Sequence, residues 1–348
     1  MEKRVLIAAG GSGGHLIPAQ QLARLLMQNY SCEVHFAGYH LCSSPYFTRE
    51  SFGFDEITSA PLSHPIAFLG AIWNGTRQAM KVLRRYNPSV VVGFGSYHTV
   101  PILLAAVLLR KKIVLYEANR IMGKVNRLFA PFAKAITIQL PQTKSQSKLI
   151  QVPLFPWILE RVKTQAEARS CYQLRPDIST VLIFGGSQGA HFLNEIAPLA
   201  LKNKDLQAIH LAGNKAAANQ VKQLYDYLGI AAIVKDFEPN MTDAYAAADF
   251  AICRSGAGTI AELLRYEIPA LMIPYPHGAE DHQTRNAEFV QAKGCGICIQ
   301  QKQTSAEILS VLIDECDWKR MKLAFRSQKE QDKAVAFDAV VAQMGGFA

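Results

Sequence analysis

A short apolar run, a glycine-rich turn and an amphipathic helix follow one another at the start of the chain, over Leu6–Ala23. The same order returns in the second half, over Leu182–Ala200. A strand that is apolar at every position must be covered on both faces, so this pattern calls for parallel sheets with helices above and below. The alternation runs through both halves. Strands are expected at Val5–Ala9, Val34–Ala37, Val90–Gly93, Ile113–Tyr116 and Ala135–Ile138, then at Val181–Phe184, Ala208–Ala212, Ala231–Val234, Phe250–Ile252, Ala270–Ile273 and Gly296–Ile299. Between Gln151 and Arg169 it breaks at Val152-Pro153-Leu154-Phe155-Pro156, which its prolines bar from a helix. A length of 348 residues suits two domains. The expected fold is α/β, with two Rossmann-like, doubly wound domains facing a central cleft and ligands at the carboxyl ends of the strands. The tail from Asp317 reads as helical.

Several classes are set aside. The longest apolar run, Val100–Leu109, is half the ~20 residues a membrane span requires and reads as a buried helix. The apolar stretch after Lys3-Arg4 is too short for a signal peptide. The seven cysteines are scattered singly apart from Cys295-Gly-Ile-Cys298, a pattern of reducing surroundings, and that lone pair reads as buried strand rather than metal site. Charge is uneven: residues 1–170 carry 20 Lys and Arg against 8 Asp and Glu, the remainder 17 against 20. The basic half suits an anionic partner such as phosphates, nucleic acid or an acidic membrane surface.

Three glycine loops follow expected strands: Gly10-Gly11-Ser12-Gly13-Gly14-His15, Gly93-Phe94-Gly95-Ser96-Tyr97 and Gly185-Gly186-Ser187-Gln188-Gly189. Glycine lets backbone approach a phosphate or sugar, and the following helix N-terminus offers free N–H groups. The first loop is not a dinucleotide fingerprint, because Leu16 stands where the third glycine belongs and Gly38-Tyr39-His40 supplies no acidic residue for a ribose. Nor is it a P-loop. In Cys253–Glu262 (CRSGAGTIAE) a strand end leads into a helix bearing Glu262, a carboxylate able to accept both ribose hydroxyls. In Pro274–Gln283 (PYPHGAEDHQ) polar side chains crowd a helix start. Each of these taken singly also fits a plain capped helix.

Together, GGSGGHLIPA (10–19), VVVGFGSY (90–97), YEAN (116–119), FGGSQGAHFLNE (184–195), CRSGAGTIAE (253–262) and IPYPHGAEDHQTRNA (273–287) resemble the MurG family of peptidoglycan-synthesising N-acetylglucosaminyltransferases over essentially the whole length. The resemblance implies the glycosyltransferase-B (GT-B) architecture. Residues 1–152 would form an acceptor and membrane-facing domain, 153–332 a UDP-sugar donor domain, and 333–348 a helix returning to the first. It implies inverting transfer of N-acetylglucosamine from UDP-GlcNAc to undecaprenyl-pyrophosphoryl-muramoylpentapeptide (lipid I). The product would be lipid II, formed by a peripheral enzyme on the cytoplasmic face of the inner membrane, with roles in cell shape and division and possible wall-synthesis partners. Carried over by position, Ser187 meets the diphosphate, Glu262 the ribose, and backbone at Phe237–Glu238 the uracil. Ser12, Gly13, Gly14, His15, Asn119, Ala257, His282 and Gln283 surround the sugar. The family's loop threonine is Ser12 here, its His-Glu-Gln-Asn is Tyr116-Glu117-Ala118-Asn119, and Phe155 stands where a donor-contacting arginine belongs.

Inverting transfer requires a base for the acceptor hydroxyl and stabilisation of departing UDP. His15 is the first candidate base, its reference pKa being near neutrality, and Glu117 is the second. No Asp-x-Asp occurs, so no metal and no cofactor is expected. Pro65–Arg85 crowds Ile66, Phe68, Leu69, Ile72 and Trp73 ahead of Arg77, Lys81, Arg84 and Arg85, as suits an interfacial helix on anionic lipid; an ordinary core helix is the alternative. Two other functions remain in view. One is another GT-B enzyme, such as lipid A disaccharide synthase or a sugar-nucleotide 2-epimerase, against which the first two glycine loops speak. The other is a nucleic-acid binder, disfavoured because basic and aromatic residues are not interleaved.

Overall fold

The computed structural model describes residues 3–59, 65–142, 148–153, 163–186, 189–326 and 335–347. The chain divides into two units, one of residues 1–157 with 333–348, the other of residues 158–332.

The first unit is built on a parallel sheet of β1 (Arg4–Ala8), β2 (Glu33–Gly38), β3 (Gly53–Glu56), β4 (Val90–Gly93), β5 (Ile113–Glu117), β6 (Ala135–Ile138) and β7 (Leu149–Gln151), in the order β3-β2-β1-β4-β5-β6-β7. The two-residue alternation of a strand decides what covers each face. Val5 and Ile7 of β1 pack under α1 (Gly13–Tyr30), whose Leu16, Ala19, Leu22, Ala23 and Leu26 are buried. Leu6 and Ala8 face α2 (Pro65–Tyr86) and α3 (Val100–Leu108) on the other side, through Ala79, Val82, Leu83, Ile102 and Leu103.

All the expected strands of this sheet form. Two more, β3 and β7, were not foreseen. Both are edge strands, where short length and polar residues such as Asp55, Glu56 and Gln151 guard against pairing with other chains. That same guarding removes the apolar signal.

The last helix, here α13 (Phe337–Gly345), belongs to this unit. Phe337 and Val341 are buried in the α1 face, Val335 N–H donates to Gln151 O at 3.1 Å, and Asn29 Nδ2 donates to Asp338 Oδ2 at 2.7 Å.

The second unit has β8 (Ser179–Phe184), β9 (Leu206–Leu211), β10 (Ala232–Lys235), β11 (Phe250–Cys253), β12 (Ala270–Met272) and β13 (Gly296–Cys298), parallel in the order β10-β9-β8-β11-β12-β13. Helices α6 (His191–Ala200), α7 (Lys215–Leu228) and α11 (Ala306–Glu315) cover the face that carries Val181 and Ile183. Among the remaining helices, α4 (Lys124–Phe129) follows β5, α5 (Gln165–Cys171) precedes β8, and α8 (Met241–Ala247), α9 (Ala257–Tyr266), α10 (His282–Ala292) and α12 (Trp318–Arg326) complete the second unit. Cys295 is buried beside β13 and Cys298 lies on it, the strand reading of that pair.

No helix among the described residues is long and apolar enough to cross a membrane. Along α2, Thr76, Ala79, Val82 and Leu83 are buried, whereas Trp73 is 66% exposed with the Arg77 guanidinium 5.3 Å from its ring centre. Trp73 is therefore not a core residue of this unit. The Ile66, Phe68 and Leu69 side chains lie outside the described residues.

Candidate active site

In each sheet the chain runs outward to one edge and then crosses back, so strand order reverses between β1 and β4 in the first unit and between β8 and β11 in the second. Loops at these reversals diverge and leave room for a ligand above the carboxyl ends of the strands.

In the first unit the loop after β1 holds Gly10–Ser12. Gly11 has φ +92°, open to glycine at no steric cost, and a Cβ there would meet His98 Cδ2 at 3.2 Å. Ser12 is the N-cap of α1. Its carbonyl accepts from His15 and Leu16 N–H at 3.1 Å each, while its hydroxyl makes no capping bond and stays available. Gly13 is buried against the Tyr46 ring, and Gly14 is exposed.

His15, in the first turn of α1, reaches across to the β4 loop and places Nδ1 2.8 Å from Phe94 O. A carbonyl only accepts, so Nδ1 carries the proton and the lone pair of the neutral ring is on Nε2. Burial lowers the His15 pKa, opposed by the Phe94 hydrogen bond and by the charge of Glu117. The neutral ring is the form a base requires.

Glu117 closes β5 and is 4% exposed. Oε1 accepts from Asn119 N–H at 3.0 Å and Asn119 Nδ2 at 3.1 Å; Oε2 accepts from Gly123 N–H at 2.9 Å and Asn126 Nδ2 at 3.0 Å. Both oxygens are thus engaged in shaping the β5–α4 loop and orienting Asn119. The spacing of Tyr116–Asn119 gave no warning of this, because Asn126 comes from the next helix. Tyr116, at the family's histidine position, is buried, bonds Gln139 through its hydroxyl, and stacks on Phe337 at 5.2 Å and 16°.

In the second unit, Gly185 is where the chain doubles back: a Cβ there would stand 2.3 Å from Ala190 N. The Ser187 assignment falls outside the described residues, as does Phe155. Helix α6 is tied down by Asn194, whose Oδ1 lies 3.0 Å from His210 Nε2; His210 is a fully satisfied core histidine with Tyr225 OH at 3.0 Å on its other nitrogen.

Phe237 is 62% exposed, with its N–H given to Asp236 Oδ1. Glu238, by contrast, is buried and accepts from Lys235 Nζ at 2.6 Å, Asn240 N–H at 2.8 Å and Tyr172 OH at 2.9 Å, which fixes the segment's backbone.

Ala257 opens α9 just after Gly256, and Glu262 lies five residues on along the same helix. Its Oε2 accepts from Tyr245 OH at 2.5 Å; its other oxygen has no protein partner among the described residues. Burial pushes its carboxyl up to about 7, and the Tyr245 hydrogen bond opposes the rise.

His282 begins α10, with Nδ1 buried and unpartnered among the described residues. Gln283 Oε1 accepts from Tyr275 N–H at 2.9 Å and Ser255 N–H at 3.3 Å, joining the two loops. Arg254, which sequence reasoning passed over, joins them too: it is 6% exposed and donates to Ile273 O, Pro274 O and Gln301 Oε1.

The structure therefore brings Ser12, Gly13, Gly14, His15, Glu117 and Asn119 to one end of the first sheet. Ala257, Glu262, His282 and Gln283 come together at the matching end of the second.

Residues 5–138 match the N-terminal domain of glycosyltransferase family 28, and residues 180–343 its C-terminal domain. A protein of Protochlamydia amoebophila named UDP-N-acetylglucosamine--N-acetylmuramyl-(pentapeptide) pyrophosphoryl-undecaprenol N-acetylglucosamine transferase is 40% identical, with 94% of this chain and 92% of that protein aligned. A protein of the same name from Chlamydia felis is 34% identical over 96% of each chain. The crystal structure of MurG from Acinetobacter baumannii superposes with a TM-score of 0.78 at 27% identity, covering 99% of both chains.

Proposed function

The chain belongs to glycosyltransferase family 28 and has its two-domain GT-B fold, and from that premise we propose that it transfers N-acetylglucosamine from UDP-N-acetylglucosamine to an undecaprenyl-pyrophosphoryl-N-acetylmuramoyl-pentapeptide. The observation that carries this reading is the 40% identity, over 94% of the chain, to a relative bearing that activity in its name. In this reading residues 1–152 serve the acceptor and the membrane, 153–332 the donor, and 333–348 complete the first domain.

His15 is the general base. Its Nδ1–H is held by Phe94 O, so Nε2 is the acceptor that takes the proton from the sugar hydroxyl as that oxygen attacks the anomeric carbon and the bond to UDP breaks. Glu117 orients Asn119 rather than moving a proton, because four N–H groups already converge on its two oxygens. Glu262 accepts from the ribose with the oxygen that Tyr245 leaves unused. Gln283 and Ala257 border the donor sugar, and the α9 N-terminus offers it N–H groups.

The enzyme is peripheral on the cytoplasmic face of the inner membrane, with exposed Trp73 beside Arg77 supporting contact with anionic lipid. The test is incubation with radiolabelled UDP-N-acetylglucosamine and a lipid-linked muramoylpentapeptide. Label appearing in the lipid supports the reading, and turnover of UDP-N-acetylglucosamine only with a different acceptor refutes it.

A further inference from the structure

Tyr245 lies on α8, the helix that opens just past the Phe237–Glu238 segment. Its side chain is fully buried. The hydroxyl donates to Glu262 Oε2 at 2.5 Å, the length of a charge-assisted bond to a carboxylate. Burial and the Glu262 charge push the phenol well above its ordinary pKa, so near neutral pH it keeps the proton that it donates. Glu262 and Tyr266 stand four residues apart, on one face of α9, and both meet Tyr245. The carboxylate takes its hydroxyl, and the Tyr266 ring lies parallel to its ring, with centres 5.0 Å apart and 10° between planes. On another side Phe184 meets the ring edge-on, at 5.8 Å and 82°. Phe184 is the last residue of β8 and leads into Gly185. Three stretches of the second unit therefore meet at one side chain: the Phe237–Glu238 segment through its own helix, Glu262 through a hydrogen bond, and the strand end before the Gly185 loop through ring packing.

A glutamate on a helix surface has several torsions to lose when it grips a ligand, and the last of them is broad. At Glu262 that freedom is already removed. Oε2 is tied to a phenol whose ring is itself held between Tyr266 and Phe184, so the carboxylate has one orientation and Oε1 is the oxygen left over. A group ordered before the ligand arrives binds it with less loss of entropy. The bond is made between residues 17 positions apart, on helices separated by β11, so nothing in the Cys253–Glu262 stretch announces it.

We propose that Tyr245 is a positioning residue for sugar-nucleotide selectivity: it fixes the Glu262 carboxylate so that Oε1 meets a ribose hydroxyl, and its own hydroxyl group is what lets the site tell a ribonucleotide from one lacking those hydroxyls. The inference rests on the UDP-sugar donor of the proposed function and deepens it. Tyr245 itself touches no ligand and acts only through Glu262.

The test measures binding of UDP and of dideoxy-UDP, the analogue lacking both ribose hydroxyls, to the full chain by calorimetry. Wild type should prefer UDP by roughly 10–100-fold. Tyr245→Phe deletes one hydroxyl and keeps the ring, with Tyr245→Leu in reserve if that variant misfolds. It should weaken UDP by roughly 5–20-fold and leave dideoxy-UDP unchanged. On a Glu262→Ala background, adding Tyr245→Phe should alter neither affinity further. A Tyr245→Phe protein that discriminates as wild type does overturns the inference. So does an equal loss for both nucleotides, the mark of a merely structural role. Wild type that binds UDP no better than dideoxy-UDP sinks the ribose role of Glu262 together with the inference, whereas a discriminating wild type beside an unaffected variant sinks the inference alone.

Discussion

Replacing Glu117 by glutamine separates a base from a bracket. The carboxylate receives Asn119 N–H and Nδ2 on one oxygen, and Gly123 N–H and Asn126 Nδ2 on the other, in a site 4% exposed. Glutamine keeps one oxygen and turns the other into an NH2 that faces two donors and accepts from neither. Leaving a buried donor unpaired costs about 1–3 kcal/mol, so two such losses with partial relaxation come to roughly 2–5 kcal/mol. For a domain of this size each kcal/mol lowers Tm by about 2–4 °C, which places the expected drop at roughly 4–20 °C. Thermal unfolding followed by circular dichroism measures it. Transfer kinetics on the same sample should show a raised KM for UDP-N-acetylglucosamine, because Asn119 is misplaced, and a fall in kcat of no more than about tenfold, far short of the ~10²–10⁴ a lost general base costs. The acidic limb of the pH profile should survive. A Glu117→Gln enzyme as stable as wild type, with kcat down a thousandfold and that limb gone, would refute the argument and make Glu117 the base.

Three further outcomes are expected. His15→Ala should lower kcat by ~10²–10⁴ with UDP affinity little changed; near-normal turnover and an unshifted pH profile in His15→Gln would end its role as base. UDP should bind Glu262 as a carboxylate, so affinity should weaken as pH falls below about 7, the value to which burial raises this group, and calorimetry should detect proton release on binding near that pH. Glu262→Ala should cost UDP binding roughly 1–3 kcal/mol and flatten the pH dependence; an unchanged Kd removes Glu262 from the ribose. Anionic vesicles should bind the protein more tightly than neutral ones, with Trp73→Ala combined with Arg84→Glu reducing the difference; equal binding to both lipids argues against α2 as the membrane face.

The central strands were legible because burial on both faces leaves them uniformly apolar, as in Val90-Val91-Val92. The edges were not: Gly53-Phe54-Asp55-Glu56 has no alternation to read, and Leu149-Ile150-Gln151 is too short to show one. The same division holds at the site. Glycine loops and helix starts are contiguous in sequence, so Gly10–His15 and Cys253–Glu262 announced themselves. What braces them is assembled from a distance. Glu117 meets Asn126, Arg254 meets Gln301, and His98 meets Tyr39 and Ser59 only once the sheet has formed. A resemblance carried position by position marks the residues that line a ligand, and is silent on a side chain such as His98 beneath the loop.

The return of α13 to the first unit has a consequence for biosynthesis. Phe337 stacks on Tyr116 at 5.2 Å and lies 6.0 Å from Phe94, the residue whose carbonyl holds His15. A ribosome delivers the sheet, the glycine loop and the histidine early, and then the whole second unit, before the aromatic ring that supports them emerges. Throughout that interval the α1 face keeps an open apolar hollow at Phe94 and Tyr116, a surface for chaperones or for a neighbouring nascent chain. Closing it joins residues more than 200 positions apart, a contact whose loop entropy slows folding. The nascent first unit therefore cannot hold His15 as the folded protein does: the packing of Phe337 on Tyr116 and Phe94 beneath it forms only after the whole second unit has been made.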